Sequence, residues 1–207
     1  MMRNKTMTYK KAEGYIEIIN RNCENLLKII NDIIDSSKIE TGNYKINKKN
    51  NNIVYIAEEV ALNMSNFIEG KGLSLIIDPE IEEKVISCDE TEIERCVINL
   101  LGNAVKFTPE GGEIRVYIKE VKGYIEITIE DNGIGISKED QEFIFKRCSK
   151  VEGNGATKAT SSGIGLTLVK DIVDLHGGYI RLESELNKGS KFTIGLPDIS
   201  EDALCNN

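Results

Sequence analysis

Asp131 is the first residue whose place in the sequence points to chemistry. The strand predicted before it carries apolar residues at positions 125, 127 and 129, so period two places the Asp131 carboxylate on the same core-facing side. A carboxylate there is costly unless a donor meets it. Gly133 and Gly135 follow at once, and glycines let the backbone come close to a flat or anionic ligand. A plain strand-to-helix turn with an exposed aspartate remains the alternative, because short glycine motifs often match by accident.

A polar stripe runs along the helix predicted for residues 91–105. Arg95, Asn99 and Asn103 follow one another at intervals of four, and Lys106 lies just beyond. Asparagine is an unusual choice for a merely solvated face, where Glu and Lys are better helix formers. An amide oxygen can bind a hard cation, an amide NH2 can donate to phosphate, and Lys106 can meet phosphate as a point charge. A solvated helix face is the alternative. The apolar side of this helix is predicted to consist of Ile93, Val97, Leu100, Leu101 and Ala104.

A further predicted helix, residues 165–175, opens with the sequence Ser161-Ser162-Gly163-Ile164-Gly165-Leu166. Free backbone N–H groups at a helix N-terminus attract phosphate. The chain contains neither a G-x-G-x-x-G turn nor a G-x-x-x-x-G-K-[ST] loop, which excludes a Rossmann dinucleotide site and a P-loop. A nucleotide bound here is therefore held by another scheme.

The elements expected to position these residues mix helices with antiparallel strands, which predicts an α+β two-layer sandwich. A long helix, residues 8–39, comes first, and its apolar residues recur at heptad a and d positions. This seam either packs on the chain's own domain or joins a helical bundle, and periodicity alone does not decide between them. An Asn/Lys-rich connector, residues 43–52, follows. The other predicted helices are residues 53–69, 91–105, 137–145 and 165–175, and the predicted strands are residues 73–78, 85–88, 113–119, 124–130, 179–185 and 191–196.

Composition excludes several classes of protein. The formal net charge is −8, without a cluster of five or more Lys/Arg, so we expect no nucleic-acid or anionic-membrane surface. No apolar stretch approaches about 18 residues, so we expect neither a transmembrane span nor a secretory signal. Five scattered cysteines without a C-x-x-C pair favour a reducing, cytoplasmic setting over disulfides or zinc. The single histidine, His176, excludes any site that needs two imidazoles.

Taken in order, the motifs resemble those of sensor histidine kinases. N-x-x-x-N-A-x-K-F-T, D-x-G-x-G and G-x-G-L are similar to the N, G1 and G2 boxes of that family, and Phe143-Ile144-Phe145 resembles its F box. The segment from Gly189 to Pro197 resembles the last strand, and residues 26–42 resemble the second helix of the dimerisation hairpin. The resemblance covers nearly the whole chain and implies the Bergerat ATP-binding fold, preceded by a helix from a dimerisation hairpin.

The resemblance also implies ATP and Mg²⁺ as ligands, with roles for particular residues. Asp131 would accept the adenine amino group, Asn103 would ligate Mg²⁺ and Lys106 would contact phosphate. Asn99 falls where related ATPases carry a water-activating glutamate, and an amide there suits phosphoryl transfer to a protein rather than hydrolysis. Asn99, Asn103 and Lys106 are thus the predicted catalytic residues. The other residues expected at the nucleotide are Phe107, Gly133, Gly135, Ile136, Lys150, Ser162, Gly163, Ile164, Gly165 and Leu166.

The chain departs from the family pattern in three places. Cys148 and Ser149 stand where two aromatic residues are usual, in front of a loop, residues 150–162, whose composition predicts a mobile lid. Lys150 replaces a common arginine, which weakens bidentate phosphate contact. The first hairpin helix, which carries the phosphoacceptor histidine, is missing. His176 is no substitute, because it sits at a helix C-terminus, where an imidazole favourably meets exposed carbonyls.

The resemblance therefore predicts residues 1–42 as part of a dimerisation helix, 43–197 as the ATP-binding catalytic domain and 198–207 as a tail. In the full-length protein this domain would phosphorylate a histidine on its own acceptor helix, for onward transfer to a response-regulator aspartate. We expect a cytoplasmic homodimer whose parent protein can be membrane-anchored. Two alternatives remain: an anti-sigma-type serine kinase, against which the helical seam argues, and a non-catalytic nucleotide-binding or dimerisation module.

Overall fold

The computed structural model describes residues 9–146 and 163–199. The predicted lid, together with Cys148 and Ser149, lies outside the described residues. No helix in the described part of the chain is long and apolar enough to cross a bilayer. The elements are, in chain order, α1 (Tyr9–Glu40), β1 (Lys49–Asn52), α2 (Ile53–Glu69), β2 (Ser74–Pro79), β3 (Val85–Cys88), α3 (Glu90–Phe107), β4 (Glu113–Val121), β5 (Tyr124–Asp131), α4 (Lys138–Gln141), α5 (Gly165–Leu175), β6 (Tyr179–Glu185) and β7 (Gly189–Pro197).

The chain divides into two compact units between Tyr44 and Lys45. The first contains α1, a single helix of 32 residues, as the heptad pattern predicts. It ends at Glu40, and Gly42 just beyond has a positive φ of 69° that lets the Asn43 amide bond back to the Lys38 carbonyl at 2.8 Å. The large apolar side chains of its seam are half or more exposed: Ile16, Ile19, Leu26, Ile30 and Ile33.

The second unit is a five-stranded sheet covered by helices. Its strand order is β2-β4-β5-β7-β6, with β2 parallel to β4 and every other neighbour antiparallel. Helices α2, α3 and α5 pack on one another and on this sheet. Alternate residues of β4 are fully buried, as expected for a strand that faces a core on one side: Ile114, Val116 and Ile118. Strand β5 is buried along both faces, with Ile125, Ile127 and Ile129 on one face and Glu126 and Thr128 on the other. The predicted α+β two-layer sandwich is confirmed.

Two element predictions are wrong in part. The predicted connector ends in a strand, β1, which pairs antiparallel with β3 although asparagine is a poor strand former. Asn52 then caps α2 by accepting the Val54 amide at 3.2 Å. The short helix predicted for residues 137–145 stops at Gln141. The residues after it form turns in which N–H groups bond three residues back, as from Phe143 to Asp140 at 2.9 Å.

The chain stays attached to the fold beyond β7. The Asp198 amide donates to Gly123 O at 2.9 Å, and Ile199 O accepts the Ser87 amide at 2.7 Å. The Asp198 carboxylate also lies 2.6 Å from the Lys84 ammonium. The segment predicted as a tail from residue 198 therefore begins with two residues that are hydrogen-bonded to the body of the domain.

Candidate functional site

Helix α3 positions the polar stripe because its opposite side fills the core. Asp89 caps the helix by accepting the Glu92 amide at 3.4 Å, and the five predicted apolar residues are at most 3% exposed. Asn99 is itself buried, with 8% exposure, and its amide donates to Arg95 O at 3.0 Å. The alternative of a solvated helix face is therefore wrong at Asn99, whose amide is held at a fixed place beside the core.

The last turn of α3 carries Asn103, which is half-buried, and Lys106. The Lys106 ammonium lies 5.2 Å from the centroid of the Phe107 ring. Desolvation lowers the pKa of Lys106 from its ordinary value. A cation in this condition is stabilised when an anion comes close, since the opposite charge favours its protonated form. This end of the helix is thus suited to an anionic group.

Helix α5 begins beside Asn99. A Cβ atom added at Gly165 would lie 3.4 Å from Asn99 Oδ1, so the two helices approach closely at this point. The N-cap residue, Ile164, has no side-chain group that can cap the first amides of α5. One turn further, the Thr167 hydroxyl donates to Phe145 O at 3.2 Å. The start of α5 therefore lies between the polar stripe of α3 and the segment that follows α4.

Asp131 is 7% exposed at the end of β5, in the row that the sequence predicts. Its Oδ1 accepts the Gly133 amide at 2.9 Å, a local bond that fixes the orientation of the carboxylate. Burial raises the pKa of Asp131 from its ordinary value, against the opposing effect of backbone hydrogen bonds from Gly133 and Ser190. In the described part of the chain no cationic side chain pairs with this carboxylate. A buried acceptor without a counter-ion suits a neutral donor from a ligand.

The two glycines after Asp131 are required by the protein's own backbone. A Cβ at Gly133 would overlap Phe107 O, at the end of α3, and a Cβ at Gly135 would overlap Glu185 O, at the end of β6. Gly135 also has a positive φ of 66°. The sequence predicts a close backbone approach to a ligand at these glycines, and the close approaches in the structure are to the chain's own carbonyl groups. The turn is consequently packed against the same helix that carries Asn103 and Lys106.

Three polar residues near Asp131 were missed by the sequence argument. Ser190 lies directly opposite Asp131 in the pairing of β5 with β7. The Ser184 hydroxyl accepts the Ile136 amide at 2.8 Å, and the Gln141 amide donates to Ile136 O at 2.8 Å. Ser190 could have been found by pairing the predicted strands in register, whereas Ser184 and Gln141 carry no motif.

His176 is a buried structural residue, as its position at a helix end predicts. Its Nδ1 lies 2.8 Å from Ile172 O, and its Nε2 accepts the Asp89 amide at 3.0 Å. Both bonds are satisfied by the neutral imidazole with its proton on Nδ1. Burial lowers the pKa of His176 from its ordinary value.

The structure brings the predicted residues together in two groups that share helix α3. Asn99 meets the start of α5, where Gly163, Ile164, Gly165 and Leu166 lie in sequence. At the far end, Phe107 and Lys106 adjoin the Asp131 turn, through Gly133 and the bond from the Ile134 amide to Phe107 O at 3.1 Å. Ile136 is bonded to Ser184. Lys150 and Ser162 lie outside the described residues.

Comparison with known proteins identifies the family. Residues 88–200 match the model of the histidine kinase-, DNA gyrase B- and HSP90-like ATPases. Hybrid signal transduction histidine kinase D of Dictyostelium discoideum is 32% identical over 187 residues, which are 88% of this chain and 12% of that protein. Histidine protein kinase DivJ of Caulobacter vibrioides is 33% identical over 190 residues, 88% of this chain and 30% of that protein. The chain thus spans less than a third of either relative.

Solved structures agree with the fold. Full-length ShkA, crystallised in complex with AMPPNP, superposes with a TM-score of 0.79 at 23% identity, over 95% of this chain and 41% of that one. A nucleotide-free catalytic domain of histidine kinase ThkA gives a TM-score of 0.65 at 25% identity, over 74% of this chain and 99% of that one. The family predicted from the motifs is confirmed: the chain belongs to the histidine kinase-, DNA gyrase B- and HSP90-like ATPases, and its named relatives are histidine kinases.

Proposed function

We propose that this chain is the ATP- and Mg²⁺-binding catalytic part of a sensor histidine kinase. The complete protein phosphorylates a histidine on its own acceptor helix and passes the phosphoryl group to a response-regulator aspartate. The observation that carries the proposal is Asp131, a buried carboxylate that is oriented by the Gly133 amide and has no cationic partner in the described residues. The family match and the names of the relatives support the same reading.

Asp131 accepts the adenine amino group in this proposal. An ionised carboxylate is an acceptor only, so it selects a base that presents a donor. Because Oδ1 already accepts the Gly133 amide, the carboxylate cannot rotate freely, and little orientational entropy is lost when the base binds. Gly133, Gly135 and Ile136 form the wall beside the base, and Phe107 joins this wall to helix α3.

The phosphates lie along the polar stripe of α3. Lys106, with its lowered pKa, meets a phosphate oxygen, and Asn103 offers an amide oxygen to Mg²⁺. The described residues hold no cluster of three or more His, Cys, Asp or Glu side chains that could cage a metal. One amide oxygen nevertheless fits Mg²⁺, which keeps several waters and takes its other ligands from substrate phosphates. When bound, the ion neutralises charge on the phosphates. Gly163 and Gly165 let the start of α5 approach the same groups, with Lys150, Ser162, Ile164 and Leu166 beside them.

The properties of Asn99 and His176 explain why the chain alone neither activates water efficiently nor phosphorylates itself. Asn99 lies beside the start of α5, and its amide lacks the basicity to activate a water. His176, the sole imidazole of the chain, is 5% exposed and uses both nitrogens in hydrogen bonds within the fold. Phosphoryl transfer depends mainly on a nucleophile placed in line with the γ-phosphate. The chain therefore binds Mg-ATP, hydrolyses it slowly and leaves itself unphosphorylated.

Incubation with labelled ATP tests this proposal. The chain is incubated alone and with a separate helical hairpin that carries the family's acceptor histidine. We expect no label on the chain alone and label on the added hairpin. Label on His176 in the chain alone would overturn the assignment of His176, and a hairpin that stays unlabelled although the chain binds ATP would favour a non-catalytic nucleotide-binding module.

Residues 1–42 serve as part of a dimerisation helix in this proposal, residues 43–197 as the catalytic domain and residues 198–207 as a tail. The seam of α1 leaves a contiguous row of exposed isoleucines and leucines, and such a row is rarely left in water. We infer that it associates with a second copy. Sedimentation should give a dimer for the chain and a monomer for the double variant Leu26→Glu, Ile30→Glu. A wild-type chain that stays monomeric at high concentration contradicts the inference.

A further inference from the structure

The side chain of Gln141 helps to attach the turn after Asp131 to the β6–β7 hairpin. Its Nε2 donates to Ile136 O at 2.8 Å and to Ser184 O at 2.9 Å. An amide NH2 carries two N–H donors on one nitrogen, and here each reaches a carbonyl of a different segment. Gln141 therefore ties the end of the turn to strand β6 with a single neutral group.

Ser184 completes the same attachment. Its hydroxyl donates to Gly189 O at 2.8 Å, accepts the Ile136 amide at 2.8 Å and lies 3.0 Å from the Ser190 hydroxyl. One donor and two acceptor sites are the full capacity of a hydroxyl, so Ser184 is fully used. Ser190 is the residue that pairs with Asp131 across β5 and β7. The network thus runs from Gln141 to the residue opposite the Asp131 carboxylate.

The rest of the turn is attached by other groups, including two hydrogen bonds between Asn132 and Glu113. The Ile134 amide reaches Phe107 O at 3.1 Å, and Ile134 O accepts the Asn187 amide at 2.7 Å. Asp131 is positioned by the strand ladder, whereas Ile136 depends on Gln141 and Ser184 for the bonds of both its N–H and its C=O. A change at Gln141 or Ser184 should therefore move Ile136, one residue of the wall of the site, relative to a carboxylate that stays in place.

We propose that Gln141 and Ser184 are positioning residues that set the selectivity of the site for adenine, an inference that rests on the proposed function. A site selects one base over another only while its wall and its acceptor hold one relative geometry. Loosening the wall lets a base without the amino group settle as well as adenine does. Neither side chain touches the base in this scheme, since both act through Ile136.

The test compares ADP with inosine diphosphate, in which a carbonyl replaces the adenine amino group. Calorimetry on the full chain gives both affinities, and thermal unfolding without nucleotide gives stability. Gln141→Glu keeps the shape of the side chain and removes both donors. We expect ADP affinity to fall about three- to tenfold, the equivalent of one lost hydrogen bond, and the preference for ADP over inosine diphosphate to shrink by a similar factor. Glu142→Gln, at the exposed neighbouring residue, changes the local charge by the same amount in the opposite direction and measures how far charge alone alters ADP affinity.

Ser184 supplies a second, independent pair of variants. Ser184→Ala should reduce the preference for ADP over inosine diphosphate. Ser184→Thr, which keeps the hydroxyl, should show the preference of the wild type. A merely structural role predicts a lower melting temperature with an unchanged ratio of the two affinities, and that result overturns the inference while the proposed function stands. A wild-type chain that binds both diphosphates equally overturns the adenine role of Asp131 and this inference together.

Discussion

Each end of helix α3 lies beside a buried titratable group. The two groups differ in how many of their hydrogen-bonding sites the protein leaves unused. At the first end, the amide of the N-cap residue Asp89 donates to the His176 imidazole, whose other nitrogen bonds Ile172 O. At the last end, Phe107 packs on the turn that orients the Asp131 carboxylate. The imidazole has no capacity left over, whereas a carboxylate has about four acceptor sites and no counter-ion among the described residues.

Burial acts on both groups in the direction that disfavours charge. It lowers the pKa of His176 and raises the pKa of Asp131. For His176 the neutral form is also the form that makes both hydrogen bonds, so burial and hydrogen bonding both favour the neutral imidazole. For Asp131 the charged form is the better acceptor for a ligand, so burial and ligand binding oppose each other. A saturated buried group thus serves stability, and an unsaturated one indicates a site.

The largest expected effect comes from Asp131→Asn. We expect ADP affinity to fall about 10- to 150-fold, since a charge-assisted hydrogen bond is worth roughly 1.5–3 kcal/mol and the amide can present NH2 to the adenine amino group. The fold should survive, because the remaining amide oxygen can still accept the Gly133 amide. Calorimetry with Mg-ADP measures the affinity. Asp78→Asn, at an exposed aspartate of β2, is the control of equal chemistry and should bind as the wild type does.

The same variant should stabilise the protein without nucleotide at neutral pH. Because the pKa of Asp131 is raised in the folded protein, this group stabilises the fold most below its ordinary pKa of 3.8. That contribution is lost as the pH rises through the pKa of the folded protein. Asp131→Asn removes the buried charge that destabilises the folded protein at pH 7, so the melting temperature at that pH should rise. A variant that binds ADP normally sinks the adenine assignment, and a variant that binds weakly but also melts lower would show that Asp131 is a structural residue.

A smaller effect, on stability alone, is expected for His176→Ala. The variant loses a buried ring and leaves the Asp89 amide without its acceptor, which should cost about 2–4 kcal/mol. Urea unfolding measures this cost, and ADP affinity below the transition should stay within about twofold of the wild type. Lys188→Ala, on the exposed β6–β7 turn, is the surface control. A tenfold loss of ADP affinity with an unchanged free energy of unfolding would show that His176 contributes to nucleotide binding and not to stability.

Most of the fold was predictable because its elements are marked by local signals. The bounds of α2 and α5 follow from apolar periodicity and the glycines after them, and Asp89 marks the start of α3. Strand β1 was missed because the sequence Lys-Asn-Asn-Asn has neither alternation nor strand propensity. It is a strand only because β3 pairs with it, and a pairing partner is not visible in the segment itself.

The candidate site was predictable where a residue type is unusual for its place. A carboxylate in an apolar row and an asparagine on a helix stripe both stand out, and Asp131 and Asn99 are indeed buried. Gln141 and Ser184 do not stand out, since glutamine on a short helix and serine in an edge strand are ordinary. The Ser184 bond to Ile136 spans 48 positions, and the Gln141 bond to Ser184 O spans 43, so both contacts are created by the tertiary fold. The Gln141 bond to Ile136 spans only five positions, and no motif marks it.

The smallest expected effect is a pH dependence that belongs to His176. Its folded pKa is lowered from 6.5 by burial and by the positive charge of Lys48, against the opposing charge of Asp89. Above pH 6.5 neither the folded nor the unfolded chain protonates this group, and its contribution to stability is complete. As pH falls below 6.5 the unfolded chain binds the proton first, so stability is lost at up to about 1.4 kcal/mol per pH unit until the folded pKa is reached.

Comparison with His176→Gln isolates this loss, because glutamine keeps a donor and an acceptor but does not titrate. The unfolding free energies of both proteins are measured in urea between pH 7.5 and pH 5. We expect the advantage of the wild type to shrink as pH falls through this window. Asp131 changes stability in the opposite direction, but both proteins carry it, so its contribution cancels in the difference. A difference that stays constant between pH 7.5 and pH 5 would mean that folding does not lower the pKa of His176.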